Sequence, residues 1–176
     1  FAGTTVVISL LGMLIMGNGL QSTLLPIRAS LEGFTPVEIG IIGSSYYLGW
    51  VAGCFYGGAG IQRVGHIRTF TALASIASTV VLIHALAVGP FVWTVLRAVT
   101  GFCFAGLFLV IESWLNDRAD NANRGFVMSL YTMIVLSVIV AGQLMLMFSD
   151  PMRFPLFAVA SVLVSLAVVP VAPPTP

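Results

Sequence analysis

Arg97 is the residue in this chain whose type and place most demand a chemical role. It lies seven positions past Pro90, inside a long apolar run that ends near Leu115. An ionisable side chain at membrane depth marks a functional site by default, because a charge in hydrocarbon is costly. The alternative is a side chain that snorkels to the near interface. An arginine stays charged throughout the physiological range. Arg97 can therefore hold an anionic group or sit beside a carboxylate that titrates. The one acid within the same runs and away from their first turns is Glu112, fifteen residues further along the same helix. At 1.5 Å per residue that is about 22 Å, so the two do not pair.

Uncharged polar residues form a second set. Asn18, Gln21 and Ser22 fall in the first apolar run, Tyr46 and Tyr47 in the second, and Tyr131, Thr132 and Gln143 in the fifth. Asn18 and Gln21 are three apart, and Asn18 and Ser22 four apart, so each pair shares a helix face. Buried amides and hydroxyls in lipid need partners or water. Asn18, Gln21, Tyr46 and Gln143 are therefore candidates to line a pathway, the alternative being hydrogen bonds between helices. A third set is basic and glycine-punctuated: Gly58, Gln62, Arg63, Gly65, His66 and Arg68. With Glu112 and Arg124 it forms a candidate latch at one end of the molecule, set against a static salt bridge. His84 reads as a lone structural histidine. Met128, Met133, Met145 and Met147 raise a soft-metal path only as a minor alternative.

These residues are positioned by elements that only a bilayer can solvate. Hydrophobic residues make up 59% of the 176, and charged residues 7%, against about 25% charged in a soluble domain. A hydrocarbon core about 30 Å thick takes about 20 helical residues. Six runs meet that length, at about residues 5–27, 37–61, 67–88, 91–115, 125–148 and 154–171. They are too continuously apolar for barrel strands, which alternate with a period of two. The expectation is an all-α membrane protein of six transmembrane helices. Residues 1–168 form the transmembrane unit, and the prolines of residues 169–176 begin a linker. Gly33, Pro36, Gly89-Pro90 and Ser149-Asp150-Pro151 mark turns, with Asp150 a candidate cap for the last helix.

Arg63, Arg68, Arg118 and Arg124 fall on the second and fourth loops, against Arg28 and Arg153 on the other side. The excess places the second and fourth loops, and both termini, in the cytoplasm. A net charge of +1 excludes a dense nucleic-acid-binding surface. Cys54 and Cys103 read as small buried hydrophobes. No nucleotide loop, catalytic carboxylate pair, zinc spacing or haem motif occurs, so neither an enzyme nor a metal or other cofactor is expected.

The second loop resembles the signature of the major facilitator superfamily of secondary transporters, Gly-x-x-x-Asp-Arg-x-Gly-Arg-Arg. Here it reads Gly58-x-x-x-Gln62-Arg63-x-Gly65-His66-Ile-Arg68, with Gln62 in place of the acid. Leu96-Arg97-x-x-x-Gly101-x-x-x-Ala105-Gly106 is similar to the family's fourth-helix motif, whose arginine is implicated in proton coupling. Glu112 followed by Asn123-Arg124-Gly125 also matches a common pattern, while the fifth helix lacks the glycine-proline motif of drug antiporters. The resemblance implies half of a twelve-helix fold, built of two inverted three-helix repeats, with substrate held between halves. It implies a secondary transporter moving a small solute by alternating access, proton-coupled or not, in a bacterial inner membrane. Its partners would be the bilayer, the solute and a missing C-terminal six-helix half. Two alternatives stay open: an accessory subunit or assembly factor among other membrane-complex subunits, photosynthetic or respiratory, and a copper importer.

Overall fold

The computed structural model describes residues 2–118, 124–148 and 150–167. Among them are six α-helices: α1 (Ala2–Leu31), α2 (Pro36–Val64), α3 (His66–Leu86), α4 (Pro90–Arg118), α5 (Arg124–Leu144) and α6 (Pro155–Leu166). One 3-10 turn, Met145–Phe148, extends α5. The protein is an all-α membrane protein, and α3, α4 and α5 with its extension are each long and apolar enough to cross a bilayer.

The helix ends follow from local chemistry. The first helix runs past the expected 27 to Leu31, carrying Pro26 inside it. It stops where Gly33 takes a φ of 83°. The Phe34 N–H then donates to Ala29 O and the Gly33 N–H to Ser30 O, the paired bonds of a left-handed helix stop. Phe34 packs edge-on against Trp93, with ring centroids 5.2 Å apart. Two residues later α2 opens on a reciprocal cap. The Thr35 N–H donates to Glu38 Oε2 at 2.7 Å, and the Glu38 N–H donates to Thr35 Oγ1 at 3.3 Å. Pro36 sits in the first turn, where its missing N–H is harmless.

Gly65 alone joins α2 to α3, at φ 88°. Its N–H donates to Ile61 O, and its own carbonyl accepts from the Thr69 N–H. An L-residue would be strained in that conformation, which explains the glycine of the second-loop motif. Asp150 does not cap α6 as expected. Its carboxylate accepts from the Met152 N–H at 2.9 Å, closing a local turn, and α6 starts at Pro155 behind Phe154, which makes no side-chain cap. α5 leaves α-helical geometry at Leu144 rather than continuing to 148. The expected linker, 169–176, lies outside the described residues.

Helix pairing obeys an internal exchange. α1 packs on α5 and α6, α4 packs on α2 and α3, and α3 meets α6. Swapping α1–α3 with α4–α6 maps α1–α5 onto α4–α2 and α1–α6 onto α4–α3, and leaves α3–α6 unchanged. Three short connections separate α1 from α4, so the second repeat runs upside down relative to the first. Close approach is set by small residues, as expected in lipid. A Cβ on Gly49 or Gly101 would overlap backbone of the facing helix, at Ala98 O and Tyr46 O respectively, and one on Gly53 would come 2.6 Å from Phe102 O.

The core divides by depth. One apolar cluster gathers Leu14, Ile15, Phe70, Ala77, Cys103, Phe104 and Val164. The other gathers Leu20, Leu24, Val81, Trp93, Phe157 and Ala160. Along α3, Ser78 falls between the two clusters; along α4, Arg97 and Thr100 do, and along α6, Ser161 does. All four are buried. A polar layer therefore crosses the bundle between two dry cores.

Candidate functional site

The polar layer positions Arg97. Trp93, one turn earlier, is fully buried, and its indole N–H donates to Ala87 O at 2.9 Å, fixing the start of α4. Arg97 is 6% exposed, so its side chain turns into the bundle rather than snorkelling to the interface. Its Nη2 donates to Ser22 Oγ on α1 at 3.0 Å. Its guanidinium carbon stands 4.5 Å from the centre of the Tyr46 ring on α2, a cation–π arrangement. Asn18 Nδ2 donates to Tyr46 Oη at 3.3 Å. Three helices thus meet through Asn18, Ser22, Tyr46 and Arg97.

A cavity of about 190 Å³ lies beside this group, bounded by Ser22, Leu25 and Pro26 of α1, Ile39, Ile42, Gly43, Tyr46 and Tyr47 of α2, and Arg97 of α4. Pro26 has no N–H to give the carbonyl four residues back, so Ser22 O loses its helical partner beside the cavity. Several buried polar atoms around the layer have no hydrogen-bond partner among the described residues: Arg97 Nη1, Asn18 Oδ1, both amide atoms of Gln21, and His84 Nε2. Buried polar groups are almost always satisfied, so this concentration marks a place where water or a ligand belongs.

The structure brings together some of the residues singled out by sequence and separates others. Asn18, Tyr46 and Arg97 form one group. Gln21 is fully buried on the same helix but makes no hydrogen bond to the group. Gln143 is exposed near the end of α5 and does not line the cavity. Sequence reasoning noted Ser22 only as part of a stripe, yet it is the hydroxyl that Arg97 holds. His84 is buried with Nδ1 2.8 Å from Val80 O and its ring 5.9 Å from Trp93. A histidine on α3 and an arginine on α4 share no helical period, so sequence alone could not join them.

At the other end, Gln62, Arg63, Gly65, Arg68, Glu112 and Arg124 are exposed and Gly58 is half-buried. Among the described residues no ion pair links them, the pair recorded being Arg28–Glu32 at 2.7 Å, at the opposite end of the bundle. The contacts made there are of other kinds. His66 Nε2 lies 3.1 Å from Ser113 Oγ, and its ring stacks on Trp114 at 6.2 Å. Tyr131 Oη donates to Glu112 Oε1 at 3.5 Å, the limit of a hydrogen bond. Cys103 is buried, as expected, whereas Cys54 is exposed.

The fold and this layer define a multi-pass helical membrane protein with a polar, cation-bearing interior. Known proteins narrow the class. The chain is 29% identical over 134 residues to a protein of Enterobacter sp. (strain 638) named an uncharacterized MFS-type transporter. It is 27% identical over 133 residues to the uncharacterized MFS-type transporter YcaD of Escherichia coli O45:K1 (strain S88 / ExPEC), and to YcaD of Escherichia coli O81 (strain ED1a). Each match covers 76% of this chain and 35% of the relative, so the chain spans about a third of the length of the curated relatives it matches. No family model matches the chain. The chain is thus similar to the N-terminal part of proteins named MFS-type transporters, in agreement with the resemblance of its second loop and fourth helix.

Proposed function

We propose that this chain is one six-helix half of a secondary active transporter that moves a small solute by alternating access. The observation that carries the reading is Arg97: a buried cation held by α1 and α2, beside a cavity, in a relative of MFS-type transporters. A purely structural arginine would be expected to have its donors filled, and Arg97 Nη1 is not. In this reading Arg97 makes the anion contact or couples transport to protons. Asn18, Gln21 and Tyr46 wet the pathway. Gln143 reaches it only from its exposed position on α5, where a second six-helix half would have to complete the wall. Gly58, Gln62, Arg63, Gly65, Arg68, Glu112 and Arg124 act at the cytoplasmic face, and both termini lie on that side of a bacterial inner membrane. The cavity then sits toward the opposite face, with the α1–α2 and α3–α4 connections.

The test is reconstitution of the purified protein in liposomes filled with a pH-sensitive dye, with a panel of small solutes applied outside. Solute-driven pH change or uptake that falls by an order of magnitude or more in Arg97→Ala supports the reading. An Arg97→Ala protein that transports normally, with the same pH dependence, removes Arg97 from the mechanism. Silence across the whole panel with well-folded wild-type protein removes the transport reading.

A further inference from the structure

We infer that the Arg97 cavity is a binding site for the carboxylate of a small, mostly apolar organic monoanion. The inference names a solute class for the transporter proposed above and rests on that reading, although binding itself can be measured without transport.

The argument begins with a missing countercharge. A buried arginine without an anion is strongly unfavourable, because the low-polarity surroundings replace its hydration poorly. The carboxylates of the described side chains are occupied or distant. Glu32 pairs with Arg28 at 2.7 Å. Glu38 is held by the Thr35 N–H and hydroxyl at 2.7 and 2.8 Å. Asp150 takes the Met152 N–H, and Glu112 lies fifteen residues along α4 and meets Tyr131. None lines the cavity. Arg97 Nη2 is used by Ser22 and one face of the guanidinium by Tyr46, while Nη1 is buried with nothing to bond. That unfilled donor belongs to a side chain that lines the cavity, and it is what an anion would take.

The rest of the cavity defines the remainder of the ligand. Its volume, about 190 Å³, equals roughly six waters at about 30 Å³ each, several times what a chloride ion needs. Leu25, Pro26, Ile39 and Ile42 make the walls apolar. One cation is present, so a monoanion leaves the site neutral, whereas a phosphate dianion would bury an excess negative charge. Tyr46 Oη already accepts from Asn18, which leaves its own proton to give to a second acceptor. The combination fits a carboxylate at the Arg97 end and a hydrocarbon or aromatic body against the aliphatic wall.

Radiolabelled benzoate is the probe, read by equilibrium dialysis against the detergent-purified protein. Saturable binding of one benzoate per chain is expected. Butyrate should compete, while benzyl alcohol, inorganic phosphate and chloride should not. Arg97→Gln should weaken binding roughly tenfold or more, as loss of a charge-assisted bond requires. Gly43→Leu supplies a variant that leaves Arg97 intact. Gly43 lines the cavity and a Cβ there meets nothing within 4 Å, so the larger side chain can extend across the cavity without displacing backbone, and it should abolish binding without lowering the melting temperature. The inference is overturned if folded wild-type protein binds no benzoate, if Arg97→Gln or Gly43→Leu binds as well as wild type, or if benzyl alcohol, phosphate or chloride displaces benzoate as readily as butyrate does. Binding without liposome uptake would keep the site and remove the transport reading. Uptake of other solutes without benzoate binding would do the reverse.

Discussion

The α2–α4 and α1–α5 contacts occupy equivalent places in the two repeats, yet they are built differently. On α2, Ser45, Gly49, Gly53 and Gly57 recur every four residues and are all buried. Gly49 meets the backbone of Ala98 and Gly53 that of Phe102 on α4, while Gly101 of α4 meets the backbone of Tyr46 and Trp50 on α2. Glycine on both helices lets the two backbones touch along several turns. At α1–α5 the approach is made at two points, Gly19 against Ile139 and Gly142 against Met16 and Leu20. Gly142 is the buried residue of α5, whose Met133, Leu136, Val140 and Leu144 are exposed. The fold's symmetry thus sets which helices pair, and the small residues set how tightly. α2 and α4 are locked as one body carrying Tyr46 and Arg97, while α5 keeps a long unpartnered face.

One substitution repeated at three glycines should break this comparison if it is wrong. The largest loss is expected for Gly49→Ala, whose new Cβ runs into Ala98 backbone that cannot give way. It should cost about 3 kcal/mol or more, the upper part of the overpacking range, seen as a collapse of the detergent melting temperature. Gly142→Ala also meets backbone, at Met16 O and at Leu20 N 3.0 Å away, but α5 is free to shift outward. About 1–2 kcal/mol is expected. Gly43→Ala on α2 meets open space and should be neutral or up to about 1 kcal/mol stabilising, through helix propensity. Equal losses at Gly49 and Gly142 would show that the two interfaces are equally tight.

Two smaller effects sharpen the picture. Ser78 Oγ lies 2.8 Å from Ser161 Oγ and 2.6 Å from Ser165 Oγ, where α3 meets α6. Ser78→Ala should cost only about 0.6 kcal/mol, the typical worth of a hydrogen bond between membrane helices, measured by the same melting assay. Hydrogen exchange should then rank the helices, with amides in the middle of α5 exchanging faster than those of α2 around Gly53. The opposite order would place the rigid body on the wrong side of the molecule.

Hydropathy showed the number of helices and their approximate ends, because a run that can cross a bilayer is a property of composition and length. It did not show rotation about each helix axis. A helix that is apolar all round gives no amphipathic face to mark its interior side. That is why Asn18, Tyr46 and Gln143 read alike as pathway candidates, although the structure places Asn18 and Tyr46 beside Arg97 and leaves Gln143 exposed on a helix with little buried surface. Gly40, Gly43, Gly49 and Gly53 look alike in the sequence, yet only the latter two touch another helix. The four-residue recurrence from Ser45 to Gly57 was the available signal. Pro26 within α1 ran against a local rule, and the helix passes through it because the stop lies at Gly33, where a positive φ is possible.

Gly65 has a mechanical consequence. A connection of one residue gives α2 and α3 only two backbone torsions through which to change their mutual angle. Both flanking bonds of that joint are pinned, by Ile61 O on one side and the Thr69 N–H on the other. The elbow therefore transmits torque instead of absorbing it: a tilt of α2 is delivered to α3 undiminished, and through α3 to α6 on the far side of the bundle.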